Sequence, residues 1–304
     1  MENGRRTLEK PRPLVNVKSR MESPTTPLTA DALRFALYNR FLKGEARVPQ
    51  MPEALLRVRR LLEDPRTSLE RLCRAINADP PLAAWLMQYA DSPLLRGVRP
   101  CTSLRDVLAR LGTRRLQSLV LSFSLRNLFI GTDALFQRVF RARWQAALEC
   151  AACCAALAEC SGVADAADAL LAGLLQDVGS LPLLAELQRW PERPRDEQGL
   201  HDLCEQLSGS VGVVVMTVWK LPTVMIECAR YRLDRQRQHP GPADLTDLLQ
   251  VARLLQEESP ATDDLPAYRR LLAACPTLPA DPAVLRESLD GAITRWRLLL
   301  GSRC

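Results

Sequence analysis

Two histidines in 304 residues, His201 and His239, leave little imidazole for general-base or metal chemistry. His201 falls at the expected start of a helix and His239 in the Pro/Gly turn His239–Pro242, so both are assigned ordinary surface or capping roles. Ten cysteines are present, and Cys150, Cys153 and Cys154 fall at i, i+3 and i+4, on one face of a helix. A thiolate metal site normally recruits a second ligand pair such as CxxC or HxxxH. The sequence holds none, so these thiols read as small buried apolar groups, and free thiols in such number fit a reducing cytoplasm. Ser208-Gly209-Ser210 is not a nucleophile elbow, because no strand precedes it. Neither GxxxxGK[ST] nor GxGxxG occurs, and no DxD-like cluster supports a metal site built from Asp and Glu alone. Asp177, between Gln176 and Val178-Gly179, is left with a structural role, hydrogen-bonding backbone donors where a helix ends.

The elements that would position these residues are helical. Apolar residues make up 47% of the chain and aromatics 5%, with Leu and Ala dominant, which favours helix packing over a sandwich of sheets. Leu33, Ala36, Leu37 and Phe41 give a first helix closed by Gly44. Thr67 with Glu70 forms a candidate capping box, and Asp79 can cap a helix that begins at Pro80. Ser103–Leu111 and Thr113–Phe129 read as a helix pair broken at Gly112, and Asp133–Cys160 as the longest helical stretch. Further helices are expected over Ala164–Gln176, from Leu181, and over Leu200–Leu207, Ser210–Trp219, Pro222–Leu233, Leu245–Glu257 and Pro282–Leu299. No stretch alternates with the period of two that a half-buried strand requires. The class is all-α: a multi-helix bundle of one or two lobes, with a composition shift at 190–197. Trp85, Trp144 and Trp219 are expected as core anchors.

Residues 1–27 read as a flexible, Pro-rich basic tail. Within residues 1–20, Arg5, Arg6, Lys10, Arg12, Lys18 and Arg20 face only Glu2 and Glu9, so +4 of the formal net charge of +6 lies in that stretch. No folded basic face remains, and the helix after Gly112 is too apolar to lie in a DNA groove, which disfavours a nucleic-acid partner. No signal peptide is apparent, and Ala146–Ala158 is too short to span a bilayer, so no membrane insertion is expected.

Several ordered blocks resemble the HDOD family, bacterial signalling domains related to HD-type metal phosphohydrolases. They begin with Val48-Pro49-Gln50-Met51-Pro52, Leu62-Glu63-Asp64-Pro65, Ser68-Leu69, Ile76, Asp79-Pro80 and Tyr89-Ala90-Asp91-Ser92. Ser103-Leu104 through Leu111-Gly112, then Ala172-Gly173-Leu174-Leu175-Gln176-Asp177-Val178-Gly179, and finally Trp219-Lys220-Leu221-Pro222 complete the set. The resemblance implies an HD-like helical domain over 28–235, followed by a C-terminal helical extension over 236–304.

The resemblance also implies a remnant HD motif, Gln176-Asp177, in which glutamine stands where the family relatives place histidine. The other places where active relatives carry imidazole read Gln145-Ala146 after Trp144, Glu205 through Gly212, and Arg232-Leu233. A lone carboxylate cannot fix a metal's geometry or depress the pKa of a bound water. The expectation is therefore no cofactor, no metal, no catalysis, and a cytoplasmic regulatory module meeting protein partners in two-component, motility or cyclic-di-GMP networks. The alternative is a divergent metal-dependent phosphohydrolase, or a sensor in which Arg143, Arg230 and Arg232 near the remnant pocket contact the phosphates of a nucleotide such as a cyclic dinucleotide.

Overall fold

The computed structural model of the chain describes residues 30–88, 101–126, 133–257 and 265–300. Among the described residues there are thirteen helices and no strand, so the all-α expectation holds. The tail over 1–27 and the Tyr89–Ser92 block lie outside them.

The first five helices are α1 (Ala30–Leu42), α2 (Glu53–Glu63), α3 (Leu69–Asn77), α4 (Pro80–Met87) and α5 (Leu104–Arg126). Asp79 caps α4 as expected, accepting from the Leu82 amide at 3.1 Å. The cap of α3 is Ser68 rather than Thr67: its hydroxyl accepts from the Arg71 amide, one residue later than the expected box. Gly112, at φ 72° and ψ 169°, is non-helical and breaks α5 into two helical segments that meet at a kink, as the sequence predicts. Beyond the turn Leu116, Leu119, Val120, Leu121, Phe123 and Leu125 are all buried, as a core helix requires.

The centre is built from α6 (Ala134–Ser161), α7 (Ala166–Leu175), α8 (Ser180–Leu187), α9 (Glu197–Val218) and α10 (Thr223–Arg230). The two helices expected over 200–219 are one, because Ser208 and Gly209 lie buried in its middle and continue its turns. Small residues set the spacing. A Cβ on Gly173 of α7 would lie 2.5 Å from the Ala151 Cα of α6, so the two backbones touch. Cys150, Cys153 and Cys154 belong to the same Ala-rich face and are buried, as expected. Gly179 does the same for the turn after α7: a Cβ there would sit 2.1 Å from the Ser208 carbonyl oxygen and 2.4 Å from the Gly212 amide nitrogen of α9. This contact presses Asp177 against α9.

The segments 48–52 and 219–222, far apart in sequence, are joined. The Trp219 indole N–H donates to the Pro49 carbonyl at 2.8 Å, and Arg59 of α2 donates to the Trp219 and Lys220 carbonyls at 3.2 and 3.3 Å. Those carbonyls end α9, where a cation is favoured by the helix dipole. Trp85 and Trp219 are buried, but Trp144 is only half-buried, at the rim of a small apolar cavity.

The last three helices are α11 (Leu245–Leu254), α12 (Pro266–Ala274) and α13 (Pro282–Leu299). α12 has no counterpart in the sequence reading, which passed over its short Leu265, Tyr268, Leu271 pattern; all three side chains are buried. α13 lies along α6, where Arg286 and Arg297 both pair with Glu149. Buried side chains from Leu33 to Leu300 form one core, so the two expected lobes share it with the C-terminal helices. One apolar helical run, Ala166–Leu187, is long enough to cross a membrane, and it is 89% buried inside the protein.

The α7–α9 contact is testable. Gly179→Ala should destabilise the fold by about 1–3 kcal/mol through overpacking against backbone that cannot yield. Gly291→Ala, on an exposed face of α13 with nothing within 4 Å, should stabilise it by about 0.5–1 kcal/mol. Urea denaturation of the two variants checks both signs.

Candidate functional site

Asp177 follows the C-cap of α7, Gln176, and is held in the turn by the Ser180 amide bonding to its carbonyl. The sequence assigned its carboxylate to backbone donors; side chains take it instead. Arg143 of α6 forks onto it, Nε to Oδ2 at 2.8 Å and Nη2 to Oδ1 at 2.5 Å. Ser208 of α9 donates to Oδ1 at 2.5 Å and Ser180 to Oδ2 at 2.8 Å. Arg232, just beyond α10, lies 3.6 Å from Oδ1. The Arg143, Asp177 and Arg232 side chains are 9%, 7% and 1% exposed, so the charges face one another rather than water.

A second carboxylate, Glu205 of α9, joins the arginines. Its Oε2 lies 3.1 Å from Arg143 and 3.1 Å from Arg232, and its Oε1 accepts from Arg253 of α11 at 2.6 Å. Gln176 is bonded from two sides, its Oε1 accepting from Arg232 at 2.8 Å and from Arg253 at 3.1 Å. Arg232 also donates to the Glu205 carbonyl at 2.7 Å. A cavity of about 120 Å³ opens beside the cluster, lined by its members together with Ala142, Ala146, Ala147, Cys150, His201 and Gln256.

Gly209 of α9 packs against the end of α10. A Cβ at this position would fall 2.7 Å from the Ala229 carbonyl oxygen and 3.3 Å from the Arg232 Nε. Glycine is required here by the close approach of α9 to the Ala229 backbone of α10, with the Arg232 side chain lying beside it.

The electrostatics follow from burial and pairing. Burial alone raises the pKa of Asp177, but the nearby Arg143 and Arg232 and the hydrogen bonds from Arg143 and Ser208 more than offset it, holding the carboxyl below its usual range. Glu205 is likewise raised by burial and brought down, by Arg232, Arg253 and Arg143, to about 2. Burial lowers the pKa of Arg232, which from so high a starting point remains a cation. Three guanidiniums against two carboxylates leave the cluster with one net positive charge.

Two of the three expected pocket arginines, Arg143 and Arg232, meet the Gln176-Asp177 pair. Arg230 does not: it is exposed on α10, and among the described residues makes no bond to the cluster, because the helix turns that side chain outward while its neighbour two positions on is buried. Sequence reasoning missed Glu205 as a partner, and also Ser180, Ser208 and Arg253. His201, Glu205 and Ser208 recur at i, i+4 and i+7 on α9, a legible polar stripe; Arg253 carried no signal at all. The His201 carbonyl lies 3.4 Å from Arg143.

This donor set does not fit a divalent metal. No imidazole nitrogen is bonded in the cluster, guanidinium offers no lone pair, and both oxygens of Asp177 are occupied by donors. The His239, Asp244 and Asp247 ligand atoms, within 4.8 Å of one another, form the one group of cation-holding geometry among the described residues. Arg237 and Arg270 already claim its carboxylates, Arg237 with Asp244 at 2.6 Å and Arg270 with Asp247 at 2.6 Å. There His239 is no surface residue: it is half-buried and bonds the fully buried Asp247 at 2.9 Å, at the start of α11.

Two outcomes are expected from the cluster. Asp177→Ala leaves Arg143 and Arg232 buried without their main counter-charge and should cost about 3–5 kcal/mol, read by denaturant titration. Glu205, with its pKa depressed when folded, contributes stability that is complete above its ordinary value of 4.5 and is lost as pH falls towards about 2. Glu205→Gln should therefore flatten the stability profile across that window, and melting temperatures measured from pH 5 to pH 2 would show it.

Comparison with known proteins agrees with this architecture. A crystal structure of a candidate metal-dependent phosphohydrolase from Shewanella amazonensis SB2B superposes with a TM-score of 0.74 at 21% identity, covering 87% of this chain and 98% of that one. An HDOD domain protein of unknown function from Geobacter sulfurreducens gives a TM-score of 0.61 at 21% identity, covering 88% and 97%. A candidate signal transduction protein from Marinobacter aquaeolei VT8 gives 0.59 at 20% identity, covering 90% and 66%. An uncharacterized protein of Treponema pallidum (strain Nichols) is 24% identical over 196 residues, 60% of this chain but 37% of its own length. At such identities the likeness to solved structures is one of fold. The HDOD domain family itself matches residues 48–234, well over half of the sequence, and the chain belongs to that family.

Proposed function

We propose that this protein is a non-catalytic regulatory module of bacterial signal transduction, acting in the cytoplasm through contacts with protein partners. The observation that carries the reading is the state of Asp177. The one carboxylate left of the HD pair is held by Arg143, Arg232 and two serine hydroxyls, and no imidazole or second free carboxylate stands beside it to complete a metal's ligand set. The name of the Marinobacter aquaeolei neighbour, a candidate signal transduction protein, agrees with it. The name of the Shewanella amazonensis neighbour points to the competing reading, a metal-dependent phosphohydrolase. That chemistry needs a metal to polarise the phosphoryl oxygen and generate hydroxide, and the arginine cluster supplies positive charge without an open coordination position.

The two readings separate on the purified full chain. Elemental analysis is expected to find less than one equivalent of Mn, Fe, Ni or Zn, and a nucleotide screen with those metals added is expected to show no turnover. Stoichiometric metal together with turnover would overturn the proposal. Loss of activity in Asp177→Ala is no evidence by itself, because that substitution also removes a buried counter-charge.

A further inference from the structure

We propose that Arg143, Arg232 and Arg253 form a binding site for a phosphoryl group, and that the Glu205 carboxylate is its built-in occupant, displaced when the ligand enters. The inference is independent of the regulatory reading. It replaces the exposed Arg230 of the sequence-based sensor alternative with Arg253, a residue outside the matched domain.

The geometry points this way in three respects. The first is convergence. Three guanidiniums, carried by α6, by the turn after α10 and by α11, meet on one carboxylate at 3.1, 3.1 and 2.6 Å. Guanidinium forks match phosphate oxygens in pairs, and arginines arriving from three separate segments suit the separate oxygens of a tetrahedral group better than one planar carboxylate.

The second is charge. With Glu205 swung away, three guanidiniums face Asp177 alone and two positive charges remain, which a phosphoryl dianion balances and a carboxylate does not. Asp177 stays behind as the fixed counter-charge that orients Arg143, and Gln176 orients Arg232, so these two arginines are held ready before the ligand arrives.

The third is access. The Glu205 side chain is 40% exposed, against 9% for Arg143 and 1% for Arg232, so the group that has to leave is the one that water already reaches. The adjoining cavity of about 120 Å³ has room for a single anionic group. It is well below the roughly 300–1,000 Å³ of pockets that enclose a whole small molecule. The remainder of a nucleotide would therefore lie outside, on the side where Glu205 meets solvent.

The test uses the full chain with inorganic phosphate and, separately, adenosine monophosphate, each titrated calorimetrically at constant ionic strength against a chloride control. Saturable binding of either is expected. Glu205→Gln, which removes the competing charge, should bind about tenfold tighter, and Arg253→Ala about tenfold weaker, each step being a factor of ten in Kd. Circular dichroism of Arg253→Ala at the titration temperature checks that it remains folded. A tighter response to the nucleotide identifies a phosphate ester as the ligand, and an equal one identifies the free anion. Absence of saturable binding to wild type and to Glu205→Gln alike would overturn the proposal. So would an Arg253→Ala variant that is folded and binds as wild type does. The wild-type titration stands alone if Glu205→Gln proves unstable, and metal content and turnover play no part in it.

Discussion

A carboxylate and two guanidiniums, each more than nine-tenths out of water, have to be paired or the fold pays several kcal/mol for every charge left alone. The Asp177–Arg143–Arg232 contact meets that demand, and it ties together the elements that carry it. Arg143 comes from α6, Asp177 from the turn after α7, Ser208 from α9 and Arg232 from the end of α10; Arg253 adds α11 through Gln176. Apolar packing alone would let these helices slide by part of a turn, because burial is not directional. Hydrogen bonds of fixed geometry to one carboxylate do not, so the buried network sets how the helices sit against each other.

The glycines make the network reachable. Gly173 brings the α6 and α7 backbones into contact, Gly179 lays the turn on α9, and Gly209 lets α9 meet the Ala229 backbone at the end of α10, beside Arg232. Each tolerates no side chain for a different reason, yet all three serve one end, the close convergence of four chain segments on Asp177. The His239–Asp247–Arg270 cluster at the start of α11 repeats the theme on a smaller scale, with a buried aspartate satisfied by cations and a backbone amide. In both places positive charge comes from arginine, whose planar fork is suited to pairing with carboxylates in low dielectric.

Such a centre has consequences for chemistry as well as for stability. Where an HD-type hydrolase would gather imidazoles around a metal, this chain gathers guanidiniums. Both are positive and both attract phosphate, but only a metal with an open position makes water a nucleophile at neutral pH. The proposals above rest on that difference: attraction for an anion can persist in a site whose residues do not fit a metal, and a site that binds without turning over suits a regulator.

The sequence by itself determined the helical class, because the 3.6-residue spacing of Leu and Ala is local, and it determined most helix ends, because caps such as Asp79 and Asp133 act within their own first turn. It determined the family resemblance and brought Gln176, Asp177, Arg143 and Arg232 to notice. It went astray where short-range signals competed, as at Thr67 beside Ser68, and where an expected break was absorbed in one helix, as at Ser208-Gly209, whereas the break at Gly112 is real. Which arginine turns inward was decided only by tertiary structure: Arg230 is the last, exposed residue of α10, and Arg232 lies in the turn beyond it, which carries its side chain back into the core. Glu205 and Arg253 entered the site in the same way, since α9 and α11 meet only after the chain has folded. Local patterns are set by bonds a few residues long, whereas a charge cluster is set by which helices converge, and that information lies in no single window of the sequence.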